Sequence, residues 1–125
     1  MKYHFQRANT VKMIVATIQP YKLHPVKDAL SKVEVNRLTV CDAEGQGQQR
    51  GMTATFRGNE YDVQLISKVQ LEIVVNDDFL ERTLDILIDV ARTGADGNIG
   101  DGKIFILPVA ESIRISDGKR GPEAV

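Results

Sequence analysis

The sequence predicts an α+β fold in which two helices cover one face of an antiparallel sheet. Three observations lead to this prediction. Four short segments are apolar and rich in β-branched residues, which is typical of strands, and two longer segments repeat apolar residues at helical spacing. Along the chain these segments follow the order β-α-β-β-α-β. At 125 residues the chain fits a single domain of this kind.

The first strand, the first helix and the second strand are predicted within residues 11–41. Residues 11–18 form a short β-branched run, which indicates a largely buried strand, and Pro20 ends it. A helix follows, because Pro25 fits its first turn and apolar residues then recur every three or four positions. These residues are Val26, Ala29, Leu30 and Val33. Residues 38–41 are predicted as the second strand.

The third strand and the second helix are predicted between residues 69 and 92. Apolar residues alternate along 69–75, so one face of this strand should be buried, and we expect the strand to pair with 38–41. Residues 76–78 supply candidate N-caps for the helix. The apolar stripe of the helix should consist of Leu80, Leu84, Leu87, Ile88 and Ala91.

The last elements follow a glycine-rich break at residues 94–102. Residues 104–107 and 112–115 are predicted as the final strand pieces, either separate or as one strand bent at Pro108. The tail from Asp117 is rich in glycine and charged residues, and we expect it to be mobile in isolation. The complete order fits a ferredoxin-like α+β sandwich.

The connection between the second and third strands, residues 42–67, does not fit this compact pattern. It has about 25 residues, most of them polar, whereas neighbouring antiparallel strands need only a short hairpin. Loops of that length are usually either functional or disordered. This loop is therefore either a functional element or a disordered one.

Composition and charge exclude several classes of function. The formal net charge of −1 gives no bulk attraction to nucleic acid or anionic lipid, and the low aromatic content argues against base-stacking RNA modules. The single cysteine, Cys41, cannot form an intramolecular disulfide and suits a reducing compartment. No apolar run could span a bilayer, and residues 1–10 lack the features of a secretory signal. We therefore expect a soluble, cytoplasmic protein.

No arrangement of residues suggests an enzyme. His4 and His24 lie outside any metal-like cluster, and Cys41 is expected to be a small buried residue rather than a nucleophile. No Ser-His-Asp set is evident in the sequence. We therefore predict a non-enzymatic protein.

Two glycine-rich motifs and one arginine are candidates for anion binding. Residues 45–51 (Gly-Gln-Gly-Gln-Gln-Arg-Gly) are either a nest of backbone N–H groups or a flexible turn, and they lack the Gly-Lys-Ser/Thr of a Walker loop. Residues 100–103 (Gly-Asp-Gly-Lys) are either a plain loop or a phosphate-binding turn in which Lys103 supplies the charge. Arg114 is either a solvated edge-strand arginine or a second phosphate ligand.

Taken together, these motifs resemble the PII family of signal-transduction proteins over residues 13–118. The matching segments are 18–23, 45–51, 56–61, Lys68 with 72–75, 100–105 and 113–115. The resemblance implies a homotrimer of ferredoxin-like subunits, with three nucleotide sites in the clefts between subunits. It makes residues 1–12 an N-terminal extension, about 45–66 the projecting T-loop between the second and third strands, and 119–125 a flexible C-terminal tail.

The resemblance also implies the ligands and their binding residues. Glu72 would select the adenine base of ATP or ADP, and Lys103 and Arg114 would hold phosphates. The full nucleotide set is Thr39, Gly45, Gly47, Gln48, Glu72, Gly100, Asp101, Gly102, Lys103 and Arg114. Gln49 would help to bind the Mg²⁺ of Mg-ATP, which in turn chelates the effector 2-oxoglutarate. The 2-oxoglutarate set is Gln49, Arg50, Gly51 and Lys68, in which Lys68 pairs with a carboxylate of the acid.

The function implied by the resemblance is that of a sensor of nitrogen, carbon and energy status. Its T-loop would dock on an ammonium transporter or on enzymes and regulators of nitrogen assimilation. Arg57 matches the loop-tip arginine that enters the ammonium transporter in some members, and Tyr61 matches the tyrosine that a uridylyltransferase modifies in many bacterial members. Each of these two residues can also be an ordinary loop side chain.

Several residues depart from the family pattern. Phe56 stands where the family usually has tyrosine, Asn59 where phosphorylated members have serine, and Gln48 and Ser116 where the family usually has arginine. The loss of arginine at Ser116 should weaken triphosphate binding or reduce the discrimination between ATP and ADP. The turn at 93–98 is longer than usual. The alternative is therefore a divergent PII-like trimer that senses another ligand or regulates a different transporter or enzyme.

Overall fold

The computed structural model of the chain describes residues 10–47, 53–56, 59–62 and 64–125, and the side chains of 10–41 and 67–125. Within these ranges the helices and strands follow one another without long irregular stretches before residue 92. They are β1 (Val11–Ile18), α1 (Leu23–Ser31), β2 (Leu38–Gly47), β3 (Thr53–Phe56), β4 (Asn59–Asp62), β5 (Gln64–Asn76), α2 (Asp77–Ala91) and β6 (Gly102–Pro108). Single 3₁₀ turns lie at Pro20–Lys22, Ile99–Asp101 and Pro122–Ala124.

Four of the strands form one antiparallel sheet in the order β2-β5-β1-β6. The two most apolar strands, β1 and β5, lie at its centre, and β2 pairs with β5 as predicted. The short strands β3 and β4 form a separate hairpin. With its two helices, the four-stranded sheet has the predicted ferredoxin-like α+β architecture.

Both helices cover the same face of the sheet, and the core lies between the helices and the sheet. Alternate residues of β1 and β5 are buried there against one side of each helix. The buried apolar residues include Ile14, Ala16, Ile18, Val69, Leu71, Ile73, Val75, Val26, Leu30, Leu87 and Ala91. This confirms the predicted buried face of 69–75 and, in the helices, the predicted burial of Val26, Leu30, Leu87 and Ala91. The other predicted helix residues are only partly buried (Ala29, Val33, Leu80 and Leu84), and Ile88 remains 46% exposed.

Residues 45–47, the described part of the glycine-rich motif, lie in a strand, which corrects both interpretations for these three residues, and 48–51 lie outside the described residues. The ladder between β2 and β5 pairs Gly45 with Ile66 and Gly47 with Gln64. An extended, paired backbone is neither a flexible turn nor a concave nest of N–H groups. Both strands are therefore longer than predicted.

The segment 112–115 is not a strand, so that prediction was wrong. β6 ends at Pro108, and Ile113 forms only an isolated bridge with Arg120. The chain reverses between these two residues, because Arg114 N–H donates to the carbonyl of Lys119 at 2.8 Å.

The C-terminal residues 119–125, predicted as a flexible tail, make defined contacts in the structure. Gly121 N–H donates to the carbonyl of Ser112 at 3.0 Å, and the 3₁₀ turn Pro122–Ala124 follows. Val125 borders a small cavity with Phe79 of α2. The tail thus folds back towards the start of α2.

The helices in the described part of the chain are short. Its longest helix, α2, has 15 residues, and no helix in these ranges has the length and apolar character needed to cross a membrane.

Candidate functional site

The face of the sheet opposite the helices is open, and it collects several of the predicted site residues. The strand register places Thr39, Glu72, Val15 and Phe105 in one row across β2, β5, β1 and β6. The next row contains Cys41, Gln70, Thr17 and Lys103. Side chains alternate along each strand, so both rows face away from the helices.

Glu72 and Thr39 lie directly opposite each other on the paired strands β5 and β2. An adenine pocket formed by both residues would require them to be this close together. Glu72 is half-buried, and its carboxylate accepts a hydrogen bond of 3.3 Å from the side-chain amide of Gln70. Thr39 is exposed at the edge of the sheet. A carboxylate in this position can accept a hydrogen bond from an amino group placed on the open face.

The predicted phosphate loop, residues 100–103, lies where the 3₁₀ turn meets the first residues of β6. Gly102 has φ 123° and ψ −169°, a backbone conformation that only glycine adopts readily. A Cβ added there would lie 1.8 Å from the carbonyl oxygen of Thr17 in β1. Glycine is therefore required at this position if β6 is to pair with β1 from its first residue. In this pairing Lys103 lies opposite Thr17.

The carbonyl of Gly100 accepts two hydrogen bonds from side chains distant in sequence. The Lys68 ammonium donates at 2.6 Å, and the Gln19 amide donates at 2.7 Å. Gln19 follows β1 and Lys68 lies on β5, so the two central strands hold the loop in place. Lys68, predicted to bind 2-oxoglutarate, thus lies directly beside the predicted phosphate loop.

The carboxylate of Asp101 accepts its hydrogen bonds from residues of the preceding turn. It accepts hydrogen bonds from the Thr93 hydroxyl, from Thr93 N–H at 2.9 Å and from Asn98 N–H at 2.8 Å. These donors, led by the Thr93 hydroxyl, lower the pKa of Asp101 below its ordinary value of 3.8. The carboxylate closes the long turn between α2 and β6, so Asp101 shapes the loop, while its predicted contact with nucleotide remains a prediction.

Replacing Asp101 with asparagine should destabilise the protein at neutral pH, because the amide replaces the charged acceptor of three hydrogen bonds. The folded-state pKa is depressed, so this stability is present above pH 3.8 and is lost as the pH falls through the folded-state value. The difference between wild type and Asp101→Asn should therefore shrink in acid.

Denaturant unfolding at neutral pH and below pH 3.8 measures this difference. Asp96→Asn is the matched control, because Asp96 lies in the same turn and has no hydrogen-bond or ion-pair partner within the described residues. Equal stability of Asp101→Asn and Asp96→Asn at neutral pH would contradict a closing role for Asp101.

A cavity of about 650 Å³ borders the loop. Asp101, Gly102 and Lys103 line one side, and the last turn of α2 lines the other with Ile88. The partial exposure of Ile88 follows from this position. The turn before the loop adds Ile99, whose side chain is fully exposed, to the rim.

Arg114 lies away from Lys103 within one subunit. β6 separates them, and a strand of its seven residues is roughly 20 Å long. Beyond β6 the chain returns to the start of β1, where Ser112 lines a small cavity with Thr10. Arg114 then forms an ion pair with Asp117, with 3.1 Å between Nε and Oδ1. The two predicted phosphate ligands are therefore not brought together within one chain.

Several predicted residues lie outside the described part of the chain or are described only by their backbone. Gln48, Gln49, Arg50, Gly51 and Arg57 lie outside the described residues. Tyr61 lies on β4 with its backbone described, and Gly45 and Gly47 lie in the β2 ladder. Among the described residues, no group of three acidic, histidine or cysteine side chains could hold a metal ion.

Sequence reasoning missed three residues that shape the site. Gln19 donates a hydrogen bond to the carbonyl of Gly100, and the Thr93 hydroxyl donates one to the carboxylate of Asp101. Asp117 forms an ion pair with Arg114. Gln19 lies 81 positions before Gly100, so no local pattern could reveal their contact. Asp117, three residues after Arg114, was close enough in sequence to suggest an ion pair.

Comparisons with known proteins place these features in a family context. The family model described as nitrogen regulatory protein P-II matches residues 11–119. Nitrogen regulatory protein GlnK1 of Methanosarcina mazei is 45% identical over 115 residues, covering 92% of this chain and 97% of the relative. Nitrogen regulatory protein P-II of Azospirillum brasilense is 44% identical over 115 residues, covering 92% and 100%.

Solved structures show the same similarity. The structure of a B. subtilis GlnK–ATP complex superposes with a TM-score of 0.74 at 26% sequence identity, covering 92% of this chain and 95% of that one. Arabidopsis thaliana PII bound to citrate superposes with a TM-score of 0.72 at 34% identity, covering 93% and 90%.

Proposed function

Because this chain belongs to the family of nitrogen regulatory P-II proteins, we propose that it is a cytoplasmic homotrimer that binds ATP or ADP and 2-oxoglutarate and reports on nitrogen status. Its relatives are named as regulatory proteins, and the chain is a signalling protein rather than an enzyme. The observation that carries the proposal is the loop 100–103. Its Gly102, its internally bonded aspartate and its exposed lysine border a cavity, as a phosphate site requires.

A site between subunits accounts for the separation of Lys103 and Arg114. Lys103 and Arg114 can both reach one nucleotide only if they come from different copies of the chain. The open face of the sheet supports association, because Phe105 is 58% exposed and Leu107 is 45% exposed there. In the trimer, further copies would cover this face. Thr39 and Glu72 would then contact the base, while residues 100–103 contact the phosphates.

The effector site follows from the position of Lys68. A carboxylate of 2-oxoglutarate bound to Lys68 would lie beside Gly100, and Gln19 would still donate to the Gly100 carbonyl. Gln49, Arg50 and Gly51 would complete the site from the base of the T-loop, with Gln49 also contributing to Mg²⁺. The effector would thus adjoin the nucleotide loop and the T-loop simultaneously, which provides a route for thermodynamic coupling.

The output of this sensor is the T-loop. We propose that it regulates an ammonium transporter or nitrogen-assimilation proteins, with Arg57 as a contact residue and Tyr61 as a site for a uridylyltransferase. The β3–β4 hairpin carries Tyr61. A hairpin beyond the main sheet can move as a unit, which suits a two-state output element.

The second candidate function is that of a divergent member that senses another ligand on the same scaffold. The observation in its favour is the ion pair that already occupies Arg114, together with serine at position 116. Competition between a phosphate and Asp117 would weaken nucleotide binding and leave room for a different anion.

Titration calorimetry with Mg-ATP and with ADP, combined with light scattering for subunit mass, tests the proposal. We expect a mass of three 13.9 kDa chains and saturable binding of both nucleotides. A monomer that binds neither nucleotide would refute it. A trimer that binds neither would favour the second candidate.

A further inference from the structure

The loop that carries Arg114 is tightly folded by its own backbone. Arg114 N–H donates to Lys119, and Gly118 N–H donates back to the carbonyl of Arg114 at 2.7 Å. Gly118 has φ 69°, the left-handed conformation that lets the chain reverse here. The loop therefore holds the backbone of Arg114 and Asp117 in a fixed relation.

The carboxylate of Asp117 is itself positioned. Its Oδ1 accepts a hydrogen bond of 3.0 Å from Lys119 N–H and one of 3.1 Å from Arg114 Nε. Because the loop already orients the acceptor, little further side-chain entropy is lost when Arg114 joins it. The Lys119 amide and Arg114 lower the pKa of Asp117, which keeps it charged at neutral pH.

We propose that Asp117 is a specificity-determining residue, which competes with nucleotide phosphates for the guanidinium of Arg114 and so reduces the preference for ATP over ADP. This inference rests on the proposed nucleotide site. Carboxylate and phosphate recognise arginine through the same N–H donors, so a phosphate must share Arg114 with Asp117 or displace it. In the same metal state the triphosphate carries more negative charge than the diphosphate, so the fixed carboxylate disfavours Mg-ATP more strongly than Mg-ADP.

Both side chains of the pair are partly exposed, which limits the size of the effect. Exposed ion pairs contribute little because solvent screens them. Removing the Asp117 charge should therefore tighten Mg-ATP binding by about threefold, and Mg-ADP binding by less.

The test compares the Kd of Mg-ATP and of Mg-ADP in wild type, Asp117→Asn and Asp117→Ala by calorimetry. Asp28→Asn is the charge-matched control, because Asp28 pairs with Lys32 on α1 and lies outside the site. Arg114→Ala and the double variant Arg114→Ala/Asp117→Asn complete a double-mutant cycle. Circular dichroism confirms that each variant is folded.

The inference predicts tighter Mg-ATP binding in both Asp117 variants, no change in Asp28→Asn, and no gain from Asp117→Asn once Arg114 is absent. Unchanged or weaker binding in Asp117→Asn, with wild type binding normally, would overturn the inference and leave the proposed function standing. The same gain in the Arg114→Ala background would also overturn it. Failure of wild type to bind either nucleotide would overturn both.

Discussion

Replacing Gly102 with alanine is expected to destabilise the protein by about 3 kcal/mol or more. The new Cβ would lie 1.8 Å from the carbonyl oxygen of Thr17, a backbone atom in a central strand. Relief of this contact would require β6 to move away from β1, and the backbone of Gly102 would be strained as well. We expect Tm to fall by about 10 °C or more at a fixed protein concentration.

Gly94→Ala is the matched control for this change. Gly94 lies in the preceding turn with φ 67°, but a Cβ there would meet no atom within 4 Å. It therefore reports the cost of the left-handed backbone alone, which is about 1 kcal/mol. If the two variants unfolded at the same temperature, the contact between Gly102 and β1 would have no role in holding the loop.

Replacing Lys103 with alanine should weaken Mg-ATP binding roughly tenfold to a hundredfold. The side chain is exposed on the open face of the sheet, so the substitution removes a positive charge without disturbing the core. Hydrogen bonds that involve charged groups are the strong ones, and phosphate oxygens are charged acceptors. Calorimetry with Mg-ATP measures the loss.

Lys27→Ala is the control, because Lys27 is an exposed lysine on α1 outside the proposed site. It should bind Mg-ATP like the wild type, and both variants should keep the wild-type Tm within a few degrees. An unchanged Kd for Lys103→Ala would remove this lysine from the phosphate site. It would also remove the main support for placing the nucleotide at residues 100–103.

The main sheet could be predicted from sequence because apolar alternation marks the strands that bury one face. The alternating residues of 69–75 lie in the core as expected. The extension of β2 and β5 beyond the predicted strands was not predictable from the same signal. Residues 42–47 and 64–66 show no regular alternation of large apolar and polar residues in the sequence. Pairing between the two segments, rather than the character of either one, makes them strands.

The error at 112–115 has a different cause. Ile113 and Ile115 alternate with polar residues as in a strand, but Ile115 is almost fully exposed. Backbone hydrogen bonds within 112–121 fold the chain back on itself. These local hydrogen bonds, rather than the weak alternating pattern, therefore determine the conformation of the segment. The left-handed conformation of Gly118 allows the chain to reverse and form them.

The candidate site was predictable in part. The loop 100–103 could be identified by motif, and the need for glycine at 102 is explained by the structure. The contacts that hold this loop come from Gln19 and Lys68, which are distant in sequence, and therefore depend on the sheet order. No motif reveals such contacts before the topology is known.

Calorimetric titration of 2-oxoglutarate, with and without saturating Mg-ATP, tests the central claim most directly. The proximity of Lys68 to the phosphate loop predicts that Mg-ATP strengthens 2-oxoglutarate binding on the order of tenfold or more, and that 2-oxoglutarate strengthens Mg-ATP binding by the same factor. ADP should give little enhancement. Equal affinity for 2-oxoglutarate with Mg-ATP, with ADP and without nucleotide would contradict the account.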